Sequence, residues 1–328
     1  MKLVESYLRT LEQENGFSGA ALISLCGEII SVNGYGYANY EHLVRNTPKS
    51  KFCIASISKQ FTAAAIYILI EKGHLKSDDT IADYLPNLPA TWRPVIINQL
   101  LSHTSGIPDY VGFVDWRSTG KYLHSPLEIV GLVSEKALDF SPGSKFSYCG
   151  TGYLLLGMLI EAVSGVSYSE FLQKNIFDRL ALNDTGVLPS SRLLPHRAYG
   201  YEVIAGSIEN EDGFDMSFAF AAGNLYSTVE DLHCWSKAFF SGKVVSDASL
   251  QKMMTPTSVF SEYGSGLEIG LFRNRPVIGH KGGIGNFSSI IQNFTSDDLK
   301  VIVLSNVETI NLPKLDEMAL KLADLVLG

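Results

Sequence analysis

The chain has 328 residues, enough for one large domain or two smaller ones. Apolar residues make up 46% and charged residues 18%, which describes an ordinary globular protein with a sizeable core. A net charge of −8, with no block of like charge, argues against nucleic acid or an anionic membrane as the main partner.

Other whole-chain features narrow the class further. No run of eighteen apolar residues occurs, so no transmembrane helix is expected. Cys26, Cys53, Cys149 and Cys234 are far apart and form no Cys-x-x-Cys, so they read as free thiols. The histidines form no His-Glu-x-x-His and no cluster, so neither a metal nor a cofactor is expected. The N-terminal stretch lacks the unbroken apolar segment and cleavage site of a signal peptide. The expected location is therefore cytoplasmic, or periplasmic or secreted if a leader has been removed.

In chain order, residues 1 to 11 read as an amphipathic helix. Residues 18–25 read as a strand, Cys26-Gly27-Glu28 as a turn, and residues 29–37 as the returning partner. Then comes Ser56-Ile57-Ser58-Lys59, opening the long apolar run Ala63 to Ile70, with Gly73 as its stop. Three residues apart on a helix, a hydroxyl and an amine lie on one face. The hydroxyl stands at the helix start, where free N–H groups favour negative charge. A lysine in apolar surroundings can lose its proton, so the pair is a serine nucleophile with its activator built in. The competing reading is an N-cap serine with a snorkelling lysine. The same spacing recurs at Ser118/Lys121, in a loop with a glycine, and at Ser249/Lys252, on a short polar helix read as an exposed face.

Residues 75–240 differ from the two ends. They carry helical patterns, such as Tyr153 to Val163 and Tyr168 to Leu180, joined by Gly/Pro-rich loops. Tyr148 ends one such loop just before a helix, and a phenol there can shuttle a proton if a nearby cation lowers its pKa. Beyond 240, residues 266–272, 288–294 and 301–306 read as strands, and 311–327 as an amphipathic helix. Val277 to Phe287 contains a strand ending in glycines, whose bare backbone can approach a ligand and hold a developing oxyanion. The fold expected is an α+β type of α/β protein. An antiparallel sheet from both chain ends (1–74 and 241–328) is flanked by helices, and a large, mainly helical lobe (75–240) is inserted, with a cleft between them.

Together these constellations resemble the serine β-lactamase and penicillin-binding-protein superfamily, in the branch of class C β-lactamases, D-alanyl-D-alanine carboxypeptidases and β-lactamase-fold esterases. The resemblance runs from Ser56-Ile57-Ser58-Lys59 through Leu100-Leu101-Ser102-His103-Thr104-Ser105-Gly106-Ile107, Tyr148 with Thr151-Gly152-Tyr153, and Ala221-Ala222-Gly223-Asn224, to Gly279-His280-Lys281-Gly282-Gly283. It implies Ser56 as nucleophile, Lys59 as its base partner and Tyr148 as a proton relay. It also implies a substrate-binding strand with His280 and Gly282, and an oxyanion hole from the N–H groups of Ser56 and Gly283. His103 is expected to be structural. Two positions depart from the pattern. Gly150 stands where the Tyr-x-Asn motif has its substrate-binding asparagine, and Lys281 replaces a threonine or serine. The literal Tyr37-Ala38-Asn39 precedes the nucleophile and is a decoy. The activity implied is hydrolysis of an ester, an amide (a D-amino-acid peptide) or a β-lactam through an acyl-enzyme on Ser56. The absent asparagine tilts this towards esters or peptides. The alternative is a penicillin-binding or sensor protein that acylates but turns over poorly. The partner is a small-molecule or peptide substrate, and the oligomeric state is left open.

Overall fold

The computed structural model describes residues 2–114, 122–189, 191–210, 215–257, 261–308 and 314–328. Its centre is a six-stranded antiparallel sheet. In spatial order the strands are Glu268–Phe272, Arg275–Ile284, Phe287–Phe294, Leu299–Ser305, Gly19–Leu25 and Glu28–Tyr35. The two inner strands from opposite ends of the chain pair directly, Ala20 with Leu304 and Leu22 with Ile302. Both are almost unbroken apolar runs, as strands covered on both faces must be. Successive side chains alternate between faces. Ala21, Ile23, Val301 and Val303 pack under the helices Lys2–Asn15 and Leu315–Leu327. Ala20, Leu22, Ile302 and Leu304 face the larger core shared with the helical layer. This is the α+β architecture read from the sequence.

The helical layer is built around two helices that are apolar on nearly every side, Ser58–Glu71 and Gly150–Ser164. A helix without a polar face must be buried all round, and these two pack against each other. The first stops where expected: Gly73 follows at φ +76°, a left-handed conformation that closes a helix at little cost only with glycine. The helix Val229–Phe240 packs back onto the two inner strands of the sheet. The chain thus passes between the layers more than once, and helix packing spans the positions 74 and 240 where the composition changes.

The structure revises several element bounds. The first helix runs on to Asn15, held by Val4, Leu8 and Leu11 at helical spacing. Short strands at Phe52–Cys53, Gly186–Val187, Tyr201–Ile204, Ser207–Asn210 and Leu225–Ser227 had no sequence signal, because two to four residues show no period. The segment Tyr168 to Leu180 is helical throughout but takes one π-helical turn at Gln173–Phe177. The glycines at 279, 282 and 283 do not end a strand; they lie inside the ten-residue strand Arg275–Ile284.

Candidate active site

Ser56 sits in a single 3-10 turn, Ala55–Ile57, that runs straight into the Ser58–Glu71 helix. Ala55 has φ +45°, a left-handed conformation that a residue with a side chain holds only under constraint. One turn on, Lys59 is 2% exposed, with Nζ 2.9 Å from Ser56 Oγ and donating to the Ala222 carbonyl at 2.7 Å. That carbonyl is held in place by its neighbours. Thr62 Oγ1 donates to Ala221 O at 2.7 Å, and the Leu225 N–H donates to Ser58 Oγ at 3.1 Å. Burial pulls the Lys59 pKa down to about 7, against the opposing pull of Asp109 and Glu268. Near neutral pH about half of the amine is free to accept a proton.

Tyr148 closes the site from the helical side. Its ring forms part of the cleft wall, leaving the residue 40% exposed, and it lines both cavities together with Ser56. The condition set for this phenol, a nearby cation that lowers its pKa, is not met. Lys59 Nζ does lie 4.9 Å from the ring centroid, but desolvation dominates and raises the pKa. The group therefore stays protonated and can donate. Behind it lies a buried aromatic cluster of His103, Tyr153, Tyr263 and His280. Tyr263 donates to His280 Nε2 at 2.8 Å, and His280 Nδ1 is bonded to the Lys281 carbonyl. Burial pulls the His280 pKa down to about 3. This neutral ring has both nitrogens in use, so it backs the cleft rather than offering a donor to a substrate.

The glycines of the Arg275–Ile284 strand let it approach the nucleophile. A Cβ on Gly282 would lie 2.6 Å from the Ile54 carbonyl oxygen and 2.8 Å from the Ser56 amide nitrogen. Only a bare α-carbon fits there. Gly283 is open on the side where a Cβ would point. Two cavities of about 550 and 480 Å³ meet here, and both are lined by Ser56, Tyr148 and Gly283. The first extends to Glu268, Lys281 and Asp316. Lys281 Nζ lies 3.4 Å from an Asp316 oxygen, a weak and exposed pair. The second extends to Gly150, Asp109 and Glu308. The Gly150 N–H donates to Asp109 Oδ1 at 3.0 Å. Where an asparagine side chain was missed in the sequence, the nearest polar group is thus a carboxylate.

Ser56, Lys59, Tyr148, Gly150, His280, Gly282 and Gly283 all converge on this cleft. Asp109, Glu268 and Glu308 also line it, with Tyr263 bonded to His280 behind, and none of the four was picked from sequence. Asp109 follows the Ser-His-Thr-Ser-Gly run by three residues, the one signal that pointed there. Of the decoys, Tyr37–Asn39 is a short strand beside a different polar network, around Ser18 and Asn306. Ser249 is on a short helix as expected, but it is buried and capped by Ser246 rather than exposed. Lys121 and Ser118 lie outside the described residues. Cys149 is buried with its Sγ directed at the Ile107 carbonyl, and burial pushes its pKa up to about 12, the opposite of a nucleophilic thiol. Among the described residues no three His, Cys, Asp or Glu side chains gather to hold a metal ion, and no single helix is long and apolar enough to cross a membrane.

Fold and cleft together define a serine hydrolase of the β-lactamase type. The family profile described as Beta-lactamase matches residues 4–324, and the chain belongs to that family. Penicillin-binding protein 4* of Bacillus subtilis is 31% identical over 337 residues, covering 94% of this chain and 72% of that one. The crystal structure of a penicillin binding protein from Bacillus halodurans superposes with TM-score 0.86 at 27% identity, covering 98% and 99% of the two chains. That of a D-amino acid amidase from Ochrobactrum anthropi SV3 also reaches 0.86, at 25% identity over 98% of each.

Proposed function

We propose that this enzyme hydrolyses small esters and amino-acid amides by an acyl-enzyme route on Ser56. The observation that carries the reading is the 2.9 Å approach of a buried, half-neutral Lys59 amine to Ser56 Oγ. In this reading the Ser56 hydroxyl proton passes to Lys59 as Oγ attacks the substrate carbonyl carbon. The N–H groups of Ser56 and Gly283 receive the developing oxyanion. Tyr148, held protonated, donates to the departing alcohol or amine and regains its proton from the Lys59 ammonium. Water then takes the place of the leaving group, and the same groups act in reverse to release the acid.

The acyl side of the cleft favours some substrates over others. An N-acylated substrate or a β-lactam side chain brings an amide oxygen that needs a donor. At Gly150 there is none, and Asp109 beside it can only accept while ionised. An acyl group carrying its own donor, such as the free amine of an amino-acid amide, suits this wall. Similarity to the D-amino acid amidase supports the same class.

The test is a screen of D- and L-amino-acid amides, their N-acetyl counterparts, a p-nitrophenyl ester and nitrocefin. Wild type and Ser56→Ala are compared, with intact mass following any adduct. Free amides and esters should turn over and be lost by about 10³-fold or more in Ser56→Ala. Retention of a tenth of the activity in that variant would end the assignment. A stable adduct with every substrate would mean a binding protein instead.

A further inference from the structure

His103 bears on the catalytic tyrosine from three directions at once. Its carbonyl accepts the Ser147 N–H at 2.9 Å, and its Nδ1 accepts the Cys149 N–H at 3.0 Å. These are the two residues flanking Tyr148. Its ring also lies against the Tyr148 ring, with centroids 4.3 Å apart and planes tilted by 37°. His103 makes these contacts at φ +56°, an unusual conformation for a residue with a large side chain.

The chemistry of the ring fits holding rather than proton transfer. Because Nδ1 accepts, the proton of the neutral ring is on Nε2, and that buried nitrogen has no hydrogen-bond partner. Burial, with Lys59 and His280 adding to it, keeps the imidazole pKa well below its usual value, so the ring stays neutral. A structural helix or loop contact would not require the backbone on either side of one residue to be fixed by the same side chain and its own carbonyl.

On the reading that Tyr148 is the proton donor, we infer that His103 is a positioning residue that sets the Tyr148 hydroxyl against Ser56 by clamping residues 147 and 149. The clamp acts on the loop before the Gly150–Ser164 helix begins, where no helical hydrogen bonds yet hold the chain.

The test is a double-mutant cycle on a p-nitrophenyl ester, measuring kcat and KM separately. His103→Leu removes the acceptor while keeping an apolar side chain. It should lower kcat by about tenfold to hundredfold, the scale of one lost buried hydrogen bond and the misplacement that follows, with KM changed less than threefold. His103→Asn keeps an acceptor near Nδ1 and tolerates positive φ, so it should recover most of that loss. In the Tyr148→Phe background, which has no hydroxyl to position, His103→Leu should cost less than threefold. If His103→Leu fails to fold, His103→Gly serves instead, since it removes the acceptor without backbone strain. Equal losses from His103→Leu in both backgrounds, or no rescue by asparagine, would overturn the inference. An unchanged kcat in Tyr148→Phe alone would overturn the underlying assignment of Tyr148, and the inference with it.

Discussion

Replacing Lys59 by methionine should abolish activity and yet make the protein more stable at neutral pH. Methionine matches the lysine stem in length and carries no charge. In the unfolded chain the amine titrates near 10.5, but burial brings it down to about 7 in the fold. At 1.36 kcal/mol per unit, keeping this group neutral costs the wild type about 5 kcal/mol at pH 7. The substitution removes that cost. It also removes two hydrogen bonds, each contributing about 0.5–1.5 kcal/mol, and leaves the Ala222 carbonyl without its donor. The net gain expected is about 1–3 kcal/mol. Between pH 7 and 10.5 the unfolded state binds more protons than the folded one, so wild-type stability from this group rises with pH across that window. The variant lacks that slope, so its advantage shrinks by about 1.36 kcal/mol per pH unit and should be gone between about pH 8 and 9.5. Urea unfolding followed by the buried Trp92 and Trp235 measures this directly, with Lys252→Met as a control. A Lys59→Met protein less stable than wild type at pH 7, or parallel pH slopes in the two proteins, would refute a desolvated amine.

The same amine should give kcat/KM an acid limb with midpoint near 7, falling about tenfold per unit below it, and a flat profile from pH 5 to 8 would contradict a Lys59 base. Tyr148→Phe should slow turnover by about 10²-fold or more, read by single-turnover kinetics. Gly282→Ala should cost about 1–3 kcal/mol of stability and most of the activity, because the new methyl meets the Ile54 carbonyl and the Ser56 amide; thermal unfolding and kcat check both. Wild type should prefer a p-nitrophenyl ester to nitrocefin by about tenfold to hundredfold. Gly150→Asn should not restore nitrocefin activity, since its Cβ would come within 2.9 Å of the Tyr110 ring, and a fall in the preference for the ester would show that the wall can yield.

Much of the site was legible because its chemistry is local. Ser56 and Lys59 declare themselves through three-residue spacing at the head of an apolar helix, and the inner strands through unbroken runs such as Val301 to Leu304. The groups that escaped notice act through tertiary contacts. Tyr263 matters because it bonds His280, and Glu308 because a two-residue strand brings it to the cleft mouth. The direction of the Tyr148 shift could not be read from sequence for a similar reason: a lysine nearby was foreseeable, but the extent of burial around the phenol was not. The obstacle to an asparagine at 150 is likewise a ring forty residues away in the chain.

The seating of Gly282 against the nucleophile's amide has a consequence for biosynthesis. On the ribosome, Ser56 and Lys59 emerge well before the strands that complete the sheet. Their oxyanion partner and the strand that covers Gly19–Leu25 emerge only after the whole helical layer has been made. At about 5–20 residues per second the gap between the two inner strands is on the order of 15–60 s. Throughout that interval Gly19–Leu25 offers an apolar, unpaired edge to solvent, the kind of segment that seeds aggregation or recruits a chaperone. The nascent chain is therefore catalytically silent until Arg275–Ile284 has been made and seated, and acylation of Ser56 by a fluorescent reporter should mark the moment at which the sheet closes.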